Sequence, residues 1–171
     1  TDVDRSRLAI VIPAYCEAET IQPIVSAAKE FGQVLVIDDC STDDTGKRAR
    51  QGGAMVIRNA DQSGYERTLA RGFEEAAARG YTHVVTMDAD GEHDPAALAG
   101  FVARFADGYP LVLGYRARKQ RIAEVVMGWY AWARFGVRDI LCGMKGYDLR
   151  LWRENGGFDD GDGAGTELAL N

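Results

Sequence analysis

Asp88 and Asp90 stand two residues apart, directly after the apolar run at 83–87. If the chain stays extended there, both carboxylates point to one face, and the small side chain of Ala89 lets a ligand come close. Paired hard oxygens suit Mg2+ or Mn2+ better than a thiolate-binding metal. Glu92 continues the two-residue pattern, and His93 and Asp94 add further donors. An EF-hand fails on spacing, because the turn glycine, Gly91, comes too early and Ala99 stands where the loop-closing Glu belongs. No G-x-G-x-x-G follows the first apolar run and no G-x-x-x-x-G-K-[ST] occurs anywhere, so no glycine cradle grips phosphate. A metal is the remaining means of holding it.

Two more polar clusters follow apolar runs in the same way. Pro13-Ala14-Tyr15-Cys16-Glu17 comes after residues 8–12, and Asp38-Asp39-Cys40-Ser41 after residues 34–37. Such short, β-branched runs predict fully buried strands, the first closed by Pro13. Further strands are expected at 54–57, 83–87 and 111–113, with helices over 19–31, from 41–45 onward, over about 64–78 and after Pro95. Strands alternating with helices predict an α/β fold with a doubly wound, mostly parallel sheet, right-handed crossovers and helices on both faces. Ligands of such sheets sit beyond the carboxyl ends of the strands, where all three clusters fall.

Past residue 114 the alternation stops. A basic run, Arg116, Arg118, Lys119 and Arg121, leads into an aromatic helix candidate with Val125, Trp129 and Trp132. That stripe reads as core packing or as a face near a lipid interface. A glycine-marked segment over 139–146 follows, and the glycine- and aspartate-rich stretch at 155–165 reads as loop. With no repeat or linker in 171 residues, a single domain over 1–171 is expected, its ligand half ending near 114.

Composition narrows the partners. At 46% apolar and 27% charged the chain is globular, and its net charge of -6 excludes a general nucleic-acid binder. Three cysteines without a C-x-x-C suggest neither a disulfide framework nor a zinc ribbon. No apolar run reaches the length of a membrane span and residues 1–7 are polar, so the expected location is cytoplasmic, with peripheral contact on the cytoplasmic face of a membrane.

Together the clusters resemble the inverting nucleotide-sugar glycosyltransferases of family 2, with their GT-A fold. Residues 12–17 are similar to the family's P-x-Y-N-E opening, with Cys16 in place of Asn. Residues 38–45 match its D-D-x-S-x-D-x-T turn, and residues 88–95 its D-A-D-G-Q-H-x-P segment, with Glu92 in place of Gln. Gly64, Ala70 and Gly72 stand where the family has a glycine-marked helix. The resemblance implies that Pro13, Ala14, Tyr15, Glu17, Asp39, Asp88, Ala89 and Asp90 bind a GDP- or UDP-linked sugar. It also implies a divalent metal, Mg2+ or Mn2+, at Asp88, Asp90 and Glu92.

The second half resembles the branch containing dolichyl-phosphate mannose synthase and the polyprenyl-phosphate glycosyltransferases. Gly114-Tyr115-Arg116 stands where that branch has G-S-R, and Asp139 with Cys142-Gly143-Met144-Lys145 where it has D-x-x-S-G-F-R. This implies a lipid phosphate acceptor gripped by Arg116, Arg121 and Lys145, with Asp90 and Arg116 central to the transfer. Two other readings stay open. One is transfer to a glycan hydroxyl in polysaccharide or cell-envelope synthesis, with Asp139 or Glu167 as base, and the other is a nucleotide-sugar binding module without turnover.

Overall fold

A computed structural model describes residues 5–114 and 144–154. Its strands are β1 (Leu8–Ala14), β2 (Gln33–Asp38), β3 (Met55–Arg58), β4 (His83–Thr86), β5 (Leu111–Leu113) and β6 (Lys145–Asp148). The helices are α1 (Ile21–Ala28), α2 (Thr45–Gly52), α3 (Tyr65–Ala78), α4 (Leu98–Ala106) and α5 (Leu149–Glu154). All strands join one sheet in the order β3-β2-β1-β4-β6-β5.

The pairs β1–β2, β2–β3 and β1–β4 are parallel, whereas β6 runs antiparallel to both β4 and β5. The sheet is therefore mostly parallel, as the alternation of elements predicts. The end of the glycine-marked segment and the two residues after it, Lys145 to Asp148, form a strand that the sequence pattern does not announce and that wedges between β4 and β5. Among those residues Gly146, Tyr147 and Asp148 are buried, and Gly146 leaves room for the rings of Phe101 and Phe105.

Every residue of β1 is buried, and its alternate side chains feed two cores. Leu8, Ile10 and Ile12 pack with Ile21 and Val25 of α1 and with Phe101 and Phe105 of α4. Ala9 and Val11 point the other way, joining Leu35, Ile37, Phe73 of α3 and Tyr147 of β6. Each such large side chain contributes about 1.5–3 kcal/mol of hydrophobic stabilisation. Helix α3 approaches the sheet so closely that a Cβ on Gly72 would lie 2.3 Å from Val11 Cγ1. Only glycine fits there.

Pro13 does not end β1; the strand runs on to Ala14 and stays in register with β2 through Pro13↔Ile37 and Ala14↔Asp38. On the opposite side, the ladder to β4 stops at Val11↔Thr86, after Met87 N–H has donated to Val11 C=O. The next bond on that side would need an N–H from Pro13, which has none. The sheet therefore forks above Thr86, at the point where strand order reverses from β3-β2-β1 to β4. Open α/β sheets place their ligand crevice at such a switch point.

Candidate functional site

A cleft of about 440 Å3 opens at this fork. Pro13, Ala14, Tyr15, Glu17, Asp39, Asp88, Ala89 and Asp90 all line it, so every residue assigned to nucleotide-sugar binding from sequence meets in one place. Among the described residues Gln62, Gly64, Tyr65 and Thr68 also line it. Of these the sequence motifs mark only Gly64; the others follow from where the β3–α3 connection folds.

The two aspartates after β2 are held in different ways. Asp38, 1% exposed, spends both oxygens internally: Oδ1 accepts the Ser41 amide at 2.9 Å and Oδ2 accepts Arg58 Nη1 at 2.7 Å. Asp39 is equally engaged but toward the cleft. Its Oδ1 accepts from Asn59 Nδ2 at 2.7 Å, from the Ser63 amide at 2.8 Å and from Ser63 Oγ at 2.9 Å, while Oδ2 accepts the Gly64 amide at 2.9 Å. Burial alone would push this carboxyl up, but the Ser63, Asn59 and Gly64 donors outweigh it and hold the group at about 2. Asp39 is thus an anion at any working pH, and it fastens the 59–64 loop to the end of β2. Gly64 adopts φ +87°, a conformation that favours glycine, to aim its amide at that carboxylate.

The loop after β1 is tied across the crevice. Glu17 donates its amide to Thr45 Oγ1 at 2.8 Å, and Thr20 Oγ1 donates to the carbonyl of Ala89 at 2.6 Å. Cys16 and Cys40, one in each of the first two loops, both take positive φ, 54° and 64°. That region costs a side chain with a Cβ about 1–2 kcal/mol, and strain of this kind concentrates at functional sites. Cys16 lies 3.5 Å from Thr42 Oγ1 through its sulfur, while Cys40 Sγ faces the carbonyl of Ala60. The two sulfurs therefore turn to different neighbours.

Asp88 and Asp90 form the third bank. Asp88 Oδ1 accepts from the Tyr65 hydroxyl at 2.9 Å, and its amide donates to His93 Nδ1 at 3.3 Å. His93 is buried and serves under the turn as an acceptor, and its Nε2 has no partner among the described residues. Asp94 caps the short 3-10 turn Pro95–Ala97 by accepting the Ala96 amide. Asp90 is exposed at the cleft, with Oδ1 accepting the Glu92 amide at 2.8 Å. Glu92 itself lies outside the lining.

Among the described residues no three His, Cys, Asp or Glu side chains converge as a metal cage. The donor set still fits Mg2+ or Mn2+, which are commonly bound by one or two carboxylates together with substrate phosphates. Lys145 stands where β6 begins, opposite Thr86 at the carboxyl end of β4, and its amide donates to Thr86 Oγ1 at 3.1 Å. It is thus on the cleft edge of the sheet but not in the lining. Arg116, Arg121, Asp139 and Glu167 lie outside the described residues.

The family model described as Glycosyl transferase family 2 matches residues 9–143. The chain belongs to that family. Among family 2 relatives, polyprenol monophosphomannose synthase of Mycolicibacterium smegmatis is 29% identical over 82% of this chain and 61% of its own length. Undecaprenyl-phosphate mannosyltransferase of Micrococcus luteus is 32% identical over 64% of this chain and 48% of its own. Glucosyl-3-phosphoglycerate synthase of Mycobacterium tuberculosis, in complex with Mn2+, UDP-glucose and phosphoglyceric acid, superposes with a TM-score of 0.68 at 25% identity. That match covers 86% of this chain and 58% of the synthase. The fold is the GT-A type that the motifs implied, and the chain spans roughly half to three fifths of these proteins. Among the described residues no helix is long and apolar enough to cross a membrane.

Proposed function

We propose that this family 2 chain carries the donor site of an inverting glycosyltransferase that moves a sugar from a nucleoside diphosphate to a polyprenyl-type lipid phosphate. The observation that carries this reading is the convergence of the three motif loops on one cleft at the sheet's fork. Tyr15 and Glu17 on one bank, with Asp39 and the 62–68 segment beside them, offer an aromatic wall and oriented acceptors for a nucleoside. Asp88 and Asp90 on the other bank would hold the divalent cation beside the diphosphate. When bound, such an ion neutralises charge that builds on a departing nucleoside diphosphate.

In the transfer, the bond from the anomeric carbon to the donor's β-phosphate oxygen breaks while a bond to an acceptor phosphate oxygen forms on the opposite face. An acceptor phosphate is ionised near neutral pH, so no general base is required. Arg116 and Arg121 supply forked donors for its oxygens, and Lys145 a further cation from the cleft edge of β6. The relatives named for polyprenol and undecaprenyl phosphate support this acceptor class. The likeness to a synthase crystallised with phosphoglyceric acid favours a second reading, transfer to a hydroxyl.

Isothermal titration with UDP and GDP, with and without Mn2+, tests the donor site. We expect binding of one nucleotide that Mn2+ strengthens, and loss of that strengthening in Asp90→Ala with the fold intact. Absence of binding to both nucleotides under both conditions overturns the proposal. Transfer of labelled sugar to a polyprenyl phosphate, and not to hydroxyl acceptors, decides between the two acceptor classes.

A further inference from the structure

The motifs leave unexplained why an exposed tyrosine at the start of α3 reaches across to the carboxylate turn after β4. Tyr65 is 48% exposed, lines the cleft, and donates its hydroxyl to Asp88 Oδ1 at 2.9 Å. Gly64 before it is fixed to Asp39 through its amide, so the position of Tyr65 is set by the loop that Asp39 organises. The Asp88 backbone is restrained as well, since its amide donates to the Nδ1 of buried His93. One hydrogen bond therefore links the bank built by β2 and α3 to the bank built by β4.

We propose that Tyr65 is a positioning residue of the donor site, its hydroxyl fixing the Asp88 carboxylate and the width of the cleft before a nucleotide arrives. Preorganisation of this kind is worth affinity, because the ligand no longer has to order the carboxylate on binding. The ring forms the cleft wall, but the role assigned here belongs to the oxygen.

The inference rests on the donor-site reading, and two variants separate their failures. Tyr65→Phe removes the oxygen and keeps the ring; Tyr65→Ala removes both. Affinity for UDP and GDP in Mn2+ is measured by titration calorimetry, alongside Tm. A charged hydrogen bond of this type predicts that Tyr65→Phe weakens binding about tenfold, with Tyr65→Ala at least as weak and both variants still folded at the titration temperature. If Tyr65→Phe binds like the wild type or more tightly, the positioning role is wrong. Loss confined to Tyr65→Ala makes the ring a direct contact instead, and likewise overturns it. A Tyr65→Phe variant that is unfolded at the titration temperature, its affinity loss matching the unfolded fraction, makes the bond merely structural. Failure of the wild type to bind either nucleotide refutes the donor site itself.

Discussion

Asp39→Asn is the substitution whose outcome the geometry fixes most tightly. The variant keeps the shape of the side chain but offers one acceptor oxygen in place of two. The better placement leaves that oxygen on Asn59 and Ser63, which turns an NH2 toward the Gly64 amide, donor against donor. The native carboxyl is held at about 2 against an ordinary 3.8, a difference of about 2 kcal/mol in favour of the folded anion. Because the folded value lies below the unfolded one, this stability is present above about pH 4 and is lost as pH falls through about 2. Urea denaturation should show the Asp39→Asn variant less stable than the wild type by about 2 kcal/mol at pH 7, the gap narrowing to about 1 kcal/mol at pH 3. Nucleotide affinity should fall as well, since Gln62, Gly64 and Tyr65 hang from the loop that Asp39 fastens. A gap that ignores pH, or a variant as stable as the wild type, would refute this account of Asp39.

Two further perturbations test the scaffold. Gly72→Ala places a methyl 2.3 Å from Val11 Cγ1 and 3.3 Å from Ile37 Cγ1, and thermal denaturation should show a loss of about 1–3 kcal/mol. Cys16→Asn puts a residue that tolerates left-handed backbone at φ 54°, and should raise stability by about 1 kcal/mol in the same assay.

The half up to residue 114 was legible because its signals are local. Buried strands read as β-branched runs, and a polar cluster after each run is enough to place it at the carboxyl edge of a parallel sheet. What the pattern missed depends on distant partners. Lys145-Gly146-Tyr147-Asp148 has no alternation to announce it, and becomes β6 only because the β4 edge on one side and β5 on the other supply its hydrogen bonds. Pro13 reads as a stop from local rules, yet its missing N–H interrupts only the β4 side, so β1 continues beside β2. The acidic segment mixed two roles that spacing cannot separate: Asp90 faces the cleft, while His93 and Asp94, which read as added donors, brace and cap the turn. Tyr65 carried no signal, since a tyrosine opening an amphipathic helix looks like any other surface residue.

Among the described residues, the lining of the cleft is drawn from residues 13–90, on strands, loops and the helix α3 that all precede β5. On the proposed reading such a platform carries donor recognition by itself, and engineered chimaeras joined after β5 should inherit donor choice from one parent and acceptor choice from the other. The matched proteins carry names that differ in just this respect, polyprenol, undecaprenyl phosphate and phosphoglycerate, which is what such a division of inheritance would produce.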